Sequence, residues 1–268
     1  MAWGGNLADL RAWWAVLRCA LRMAPHPASR PGAGEGSLSA YVPKVLALIV
    51  AAHWLAERLQ RAFNLEAFAP LRRLRALAKS LRIEGADGLE TFDRMNRQPA
   101  VSEGMVTIVP PWVITTGAEV AVLLGAVLLA GRLIRPRLPW RPALALALAA
   151  FAAATLYDLI IAVILFRTND ALGISAGLAA AVSAEGRPLP GFDQAITRLN
   201  MLFMAFTLLA PLPLVAMVIC LARGFRAARH RWLTAVPVAA VTSGASVAMG
   251  FLARRTGLGD ALVRAFSF

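Results

Sequence analysis

Two carboxylates stand inside apolar runs long enough to cross a bilayer. Glu119 is the one charge between Val109 and Gly131, and Asp158 is the one charge between Pro142 and Phe166. An ionised group in hydrocarbon costs roughly 2.5–3.5 kcal/mol on insertion scales, so such residues are partnered or line a cavity. Thr115 and Thr116 precede Glu119 by four and three residues, which puts all three near one helix face. Thr155 precedes Asp158 by three residues, and Tyr157 adjoins it. His53 lies in a third apolar run. At 1.5 Å rise per residue, Glu119 falls roughly 15 Å, and Asp158 about 12 Å, from the outer ends of their helices. The spacing therefore allows Glu119, Asp158 and His53 to meet in one intramembrane cluster, with Thr115, Thr116, Thr155 and Tyr157 as hydrogen-bonding neighbours.

Two chemistries suit such a cluster. Low dielectric raises a carboxyl pKa, so Glu119 could cycle a proton or handle an ion or polar substrate. Alternatively, a neutral carboxyl bonded to a threonine, or one paired with His53, simply holds helices together. No spacing in the chain is specific to either. Pro211 and Pro213 interrupt another apolar run and predict a kink. Ala240, Gly244 and Ala248 form a small-residue face suited to close helix packing, within the chain or in a homo-oligomer, with Ser243 and Ser246 nearby.

Other chemistry finds little support. The histidines are His26, His53 and His230, and the cysteines are Cys19 and Cys220. They make no metal-ligand spacing, so neither a metal nor another cofactor is expected. Walker A, GxGxxG, HExxH and nucleophile-elbow patterns are missing from the sequence. The expectation leans against an enzyme.

The elements that would position these residues follow from composition. The chain of 268 residues is 59% hydrophobic and 16% charged, with a mean hydropathy of +0.62. A soluble domain carries about 25% charged residues. The fold expected is all-α and polytopic, with five transmembrane helices at Leu38–Ala56, Val109–Gly131, Pro142–Phe166, Leu199–Ala222 and Leu233–Ala253. The first is short, because its apolar core from Val45 to Ala56 has 12 residues against about 20 for a full crossing. Ala171 to Val182 is too short to cross and reads as an interfacial or re-entrant helix.

Residues 1–37 form a basic arm and linker. Leu7, Leu10, Trp13, Trp14, Leu17 and Leu21 recur at helical spacing, with Arg11, Arg18 and Arg22 between them, as in a helix lying on anionic headgroups. A mitochondrial transit peptide is the alternative for this Arg-rich stretch. Residues 38–268 form the membrane domain, with a polar, basic insertion at 57–108 in which Leu65 to Leu81 makes a second amphipathic helix.

The net charge of +13 sits beside apolar spans, which points to lipid and topology rather than nucleic acid. Arg132, Arg135, Arg137 and Arg141 crowd one short loop; Arg223, Arg226, Arg229 and Arg231 crowd another. The positive-inside rule puts both in the cytoplasm, with the N-terminus inside and the C-terminus outside. Heavy Arg and Ala usage suggests a bacterial inner membrane. The function expected is that of a non-enzymatic accessory, scaffold or assembly subunit with a membrane-protein partner. The alternative is a small transporter or permease subunit using Glu119 and Asp158.

Overall fold

The computed structural model describes residues 4–29, 35–80, 111–133, 138–185, 187–227 and 235–244. The architecture is all-α. The helices are α1 (Gly4–Leu21), α2 (Glu35–Ser80), α3 (Pro111–Leu133), α4 (Trp140–Ala171), α5 (Ile174–Ala180), α6 (Phe192–Leu209), α7 (Leu212–Ala227) and α8 (Ala235–Gly244). Three helices are long and apolar enough to cross a membrane: Leu38–Ala67, Trp140–Ala171 and the pair within Phe192–Ala227. The chain forms two compact units. Unit 1 comprises Met1–His53, Met105–Asp158 and Pro211–Phe268; unit 2 comprises Trp54–Gly104 and Leu159–Ala210.

α1 and α2 are joined as a hairpin in unit 1. α1 stops because Met23 turns left-handed at φ 49°. Its N–H reaches the Ala20 carbonyl at 3.0 Å, and the Ala24 N–H reaches the Cys19 carbonyl at 2.9 Å. This is a Schellman stop, which normally uses glycine at the left-handed position. Asp9 pairs with Lys44 at 2.9 Å, and the far end of α1 faces Tyr41, so α1 runs antiparallel to the start of α2. Val16 and Ala20 are buried. α1 is thus packed on one side against the protein through Val16 and Ala20, while Leu10 and Trp14 stay exposed on another.

α2 corrects one expectation. The span at Leu38–Ala56 and the amphipathic helix at Leu65–Leu81 read as separate elements in the sequence, yet one 46-residue helix carries both through Ser80. Residues 57–66 are almost all strong helix formers and contain neither Gly nor Pro, so nothing stops propagation where the hydropathy falls. Arg61 and Glu57 add an i,i+4 pair at 2.6 Å on the partly exposed surface.

α4 is the most enclosed of the three long helices: 67% of its apolar window is buried, against 22% for Leu38–Ala67 and 17% for Phe192–Ala227. From Ala145 to Leu156 every residue is buried. A helix covered all round needs apolar residues on every face, and the alanines let its neighbours come close. Gly224 on α7 faces Leu146 so tightly that a methyl group there would collide with both Leu146 methyl carbons.

Unit 2 has its own core. Phe63 and Ala67 of α2, Leu165 of α4, Ile174 and Leu178 of α5, and Leu199 and Leu202 of α6 are buried together. The Phe63 and Phe203 rings meet edge to face at 6.0 Å. α5 is the short helix foreseen within 171–182. Gly173, at φ 56°, has no side chain to cap it. Asn169 Oδ1 does so instead, accepting from the Ser175 N–H at 3.2 Å and the Ser175 hydroxyl at 2.8 Å. The short connection to α6 closes through an isolated bridge between Val182 and Pro188.

Candidate functional site

His53, Glu119 and Asp158, with Thr115, Thr116, Thr155 and Tyr157, all fall within unit 1. Glu119, Thr115 and Thr116 lie on the α3 backbone; their side chains are outside the described residues. His53 on α2 and Asp158 on α4 are half-buried, and neither is without a partner. Thr155 turns back on its own helix, its hydroxyl donating to the Phe151 carbonyl at 2.9 Å. Tyr157 points elsewhere: its hydroxyl donates to the Leu21 carbonyl of α1 at 3.1 Å.

Pro211 and Pro213 lie where one apolar run becomes two helices. α6 ends at Leu209 and α7 begins at Leu212. Ala210 still bonds back to the Phe206 carbonyl at 3.0 Å, and Val215 to the Pro211 carbonyl at 2.9 Å. On α8, Ala240 and Gly244 are exposed, whereas Ala235, Ala239, Thr242 and Ser243 are buried. The face that α8 buries in the chain is therefore adjacent to the small-residue face read from the sequence; Ala248 and Ser246 lie outside the described residues.

A different polar constellation does assemble, around the C-terminal end of α1. Three successive carbonyls there have no helical partner, as at any helix end. Tyr157 takes the first, that of Leu21. The Arg223 guanidinium of α7 takes the next two, those of Arg22 and Met23. A guanidinium at the negative end of a helix dipole is placed where charge favours it.

Beside this cap, the His26 ring stacks on the buried Tyr41 ring, with centroids 4.2 Å apart and planes 14° from parallel. His26 Nδ1 accepts a hydrogen bond from the Ala28 N–H at 3.2 Å. Cys19 of α1 and Cys220 of α7 both stand near Tyr41 and near each other. Both cysteines are free. All of the chain's tyrosines and cysteines, two of each, thus gather at one junction.

The chemistry available there is limited by its electrostatics. Burial raises the Cys19 thiol above its ordinary value, against the opposing pull of Arg18 and Arg22. A thiol held in its protonated form is a poor nucleophile and a poor metal ligand. Burial also lowers the His26 pKa, which keeps the ring neutral as its acceptor role requires. Among the described residues, no three His, Cys, Asp or Glu side chains converge as a metal would need. The arrangement is suited to fastening α1 to α4 and α7.

Sequence reasoning treated Arg223 only as a topology signal, weighed Cys19 and Cys220 only as metal ligands, and did not single out Tyr41. Their rarity in the chain was the one clue available, since no motif or spacing links residues from α1, α2 and α7. No protein-family model, characterised protein or solved structure shows significant similarity to this chain.

Proposed function

We propose that this protein is a non-enzymatic integral membrane scaffold or accessory subunit, with five crossings, of a bacterial inner membrane. The observation that carries the reading is the contrast among its long helices. α4 is enclosed, while the other two apolar spans leave most of their surface uncovered. On α6, Met201, Met204 and Leu208 follow one another at helical spacing and are all strongly exposed. Methionine adapts to irregular partner surfaces. The polar side chains at the α1 junction are spent on joining helices, which favours a scaffold over a catalyst.

The cap at α1 also bears on topology. It ties the N-terminal region to Arg223, the first arginine of a short basic segment, as expected if both face the cytoplasm under the positive-inside rule. The test of the scaffold reading is photocrosslinking in intact membranes from a photoreactive residue at Met204 or Leu208, with buried Leu202 as control. A discrete protein adduct from the exposed positions supports the reading; lipid adducts alone from both positions defeat it.

A transporter subunit is the second reading, favoured by His53 and Asp158 lying half-buried and partnered in the same unit as the Glu119 helix. Glu119→Gln keeps shape and hydrogen bonding but removes titration. A relay fails with Gln while the protein still assembles; a structural role tolerates Gln and fails with Leu.

A further inference from the structure

The outer side of α1 carries two hollows that share a wall. The larger, about 590 Å³ and wide open to the outside, is lined by Leu10, Arg11, Trp14, Ala15, Arg18, Cys19 and Pro27. The smaller, about 230 Å³, is lined by Leu10, Trp13, Trp14 and Leu17 and reaches Leu48 on α2. Leu10 and Trp14 form the ridge between them. Both lie 60% or more exposed, and with Trp13 they make one contiguous apolar surface on this helix, the kind that marks an interaction site.

The charges around the ridge are not balanced. Asp9, the acid on this stretch of α1, is taken by Lys44. Arg11 and Arg18 border the larger hollow two turns apart, about 10 Å along the axis, with Trp14 between them on the same face. Both are exposed, and among the described residues no carboxylate pairs with either. An occupant must therefore be apolar over most of its surface and anionic at the end that meets the guanidiniums, which bind phosphate through paired N–H donors.

We infer that this double hollow is a binding site for one anionic diacyl phospholipid, with one chain on each side of the Leu10–Trp14 ridge and the phosphate between Arg11 and Arg18. The inference rests on the membrane reading above and goes further: it assigns a stoichiometric lipid rather than general adhesion to a charged surface. The shared ridge is what selects two chains, since a single chain fills one hollow and leaves the other open. The two guanidiniums select a net negative headgroup over a zwitterionic one, whose phosphate is already paired with its own ammonium.

The test uses the full-length protein released from detergent micelles and weighed intact by mass spectrometry, after titration with phosphatidylglycerol, phosphatidylcholine of the same chains, or lyso-phosphatidylglycerol. The expected result is one retained phosphatidylglycerol, favoured at least tenfold over phosphatidylcholine and over the single-chain lipid, and not displaced by millimolar inorganic phosphate. Arg11→Gln/Arg18→Gln should reduce that preference to within twofold, whereas Arg11→Lys/Arg18→Lys should keep most of it and shows that the fold survives change at these exposed positions. Equal retention of the two diacyl lipids by the wild type, or an unchanged preference in the glutamine variant, overturns the site. Displacement by free phosphate overturns the lipid as its ligand. Vesicle flotation of the same variants keeps the two readings apart. Loss of the wild type from the membrane under alkaline carbonate would remove the membrane reading itself, while loss of lipid preference in a chain that still floats bears on the site alone.

Discussion

Gly224→Ala adds one carbon where α7 comes close to α4. In isolation the change stabilises a helix interior by up to about 1 kcal/mol, because Gly has more backbone entropy to lose. Here the new methyl falls on both methyl carbons of Leu146. Leu146 is 1% exposed and is flanked on α4 by Ala145 and Ala147, both fully buried. It has no free space to rotate into, so overpacking costs about 1–3 kcal/mol. The geometry favours the upper part of that range, and after the helix gain a net loss of about 2 kcal/mol is expected. For a chain of this size that lowers the midpoint of thermal unfolding by about 4–8 °C.

The protein carries its own reporter. Cys220 is buried one turn away on α7, so in a Cys19→Ser background a thiol-reactive fluorescent dye reads unfolding of this region in detergent. Leu146→Ala alone should cost about 2–5 kcal/mol through the cavity it leaves. Combined with Gly224→Ala, the new methyl partly fills that cavity, and the double variant should be less damaged than the sum of the singles by about 1–3 kcal/mol. A Gly224→Ala protein that melts at or above the wild type, with strictly additive effects in the double variant, would refute the close approach of α4 and α7.

Three further outcomes follow from the α1 junction. Met23→Gly should raise stability by up to about 1 kcal/mol in thermal melts, since it removes the cost of a left-handed side-chain-bearing residue while giving up a partly buried methionine. Tyr157→Phe leaves the Leu21 carbonyl without its donor and should cost about 0.5–1.5 kcal/mol, visible as faster proteolysis of the connection after α1. His26 has a folded-state pKa below its ordinary 6.5, so its contribution is fully present above pH 6.5 and is lost as pH falls through the lower folded value. Melting curves between pH 7.5 and 5 should show that loss, and His26→Gln should flatten it.

The sequence was most legible where pattern alone decides structure. Of the five apolar runs, those beginning at Leu38, Pro142 and Leu199 correspond to helices long and apolar enough to cross a membrane, and the short helix within Ala171 to Val182 was visible as twelve residues too few to cross. It was least legible at boundaries. No local signal separates a membrane span from the amphipathic helix behind it when strong helix formers join them, so α2 read as two elements. On α8 the residues buried within the chain, Ala239 and Ser243, adjoin Ala240 and Gly244, and a size-based reading does not separate the two faces. The α1 junction was invisible for a different reason: its acceptors are backbone carbonyls, which leave no trace in residue identity. Tyr157 read instead as a neighbour of Asp158, its adjacent residue in the chain.

Those backbone acceptors carry an evolutionary consequence. Tyr157 and Arg223 grip positions 21, 22 and 23 by atoms that every amino acid possesses. The two sides of the contact are therefore under unequal selection. Drift at the gripped positions leaves the cap intact, with only the left-handed turn at Met23 imposing a preference for Gly or Asn. Loss of either gripping side chain cannot be answered by any substitution at the positions it held. A saturation library scored for membrane accumulation should accordingly show broad tolerance at Leu21 and Arg22, a narrow set at Met23, and lower tolerance at Tyr157 and Arg223 than at the positions they grip.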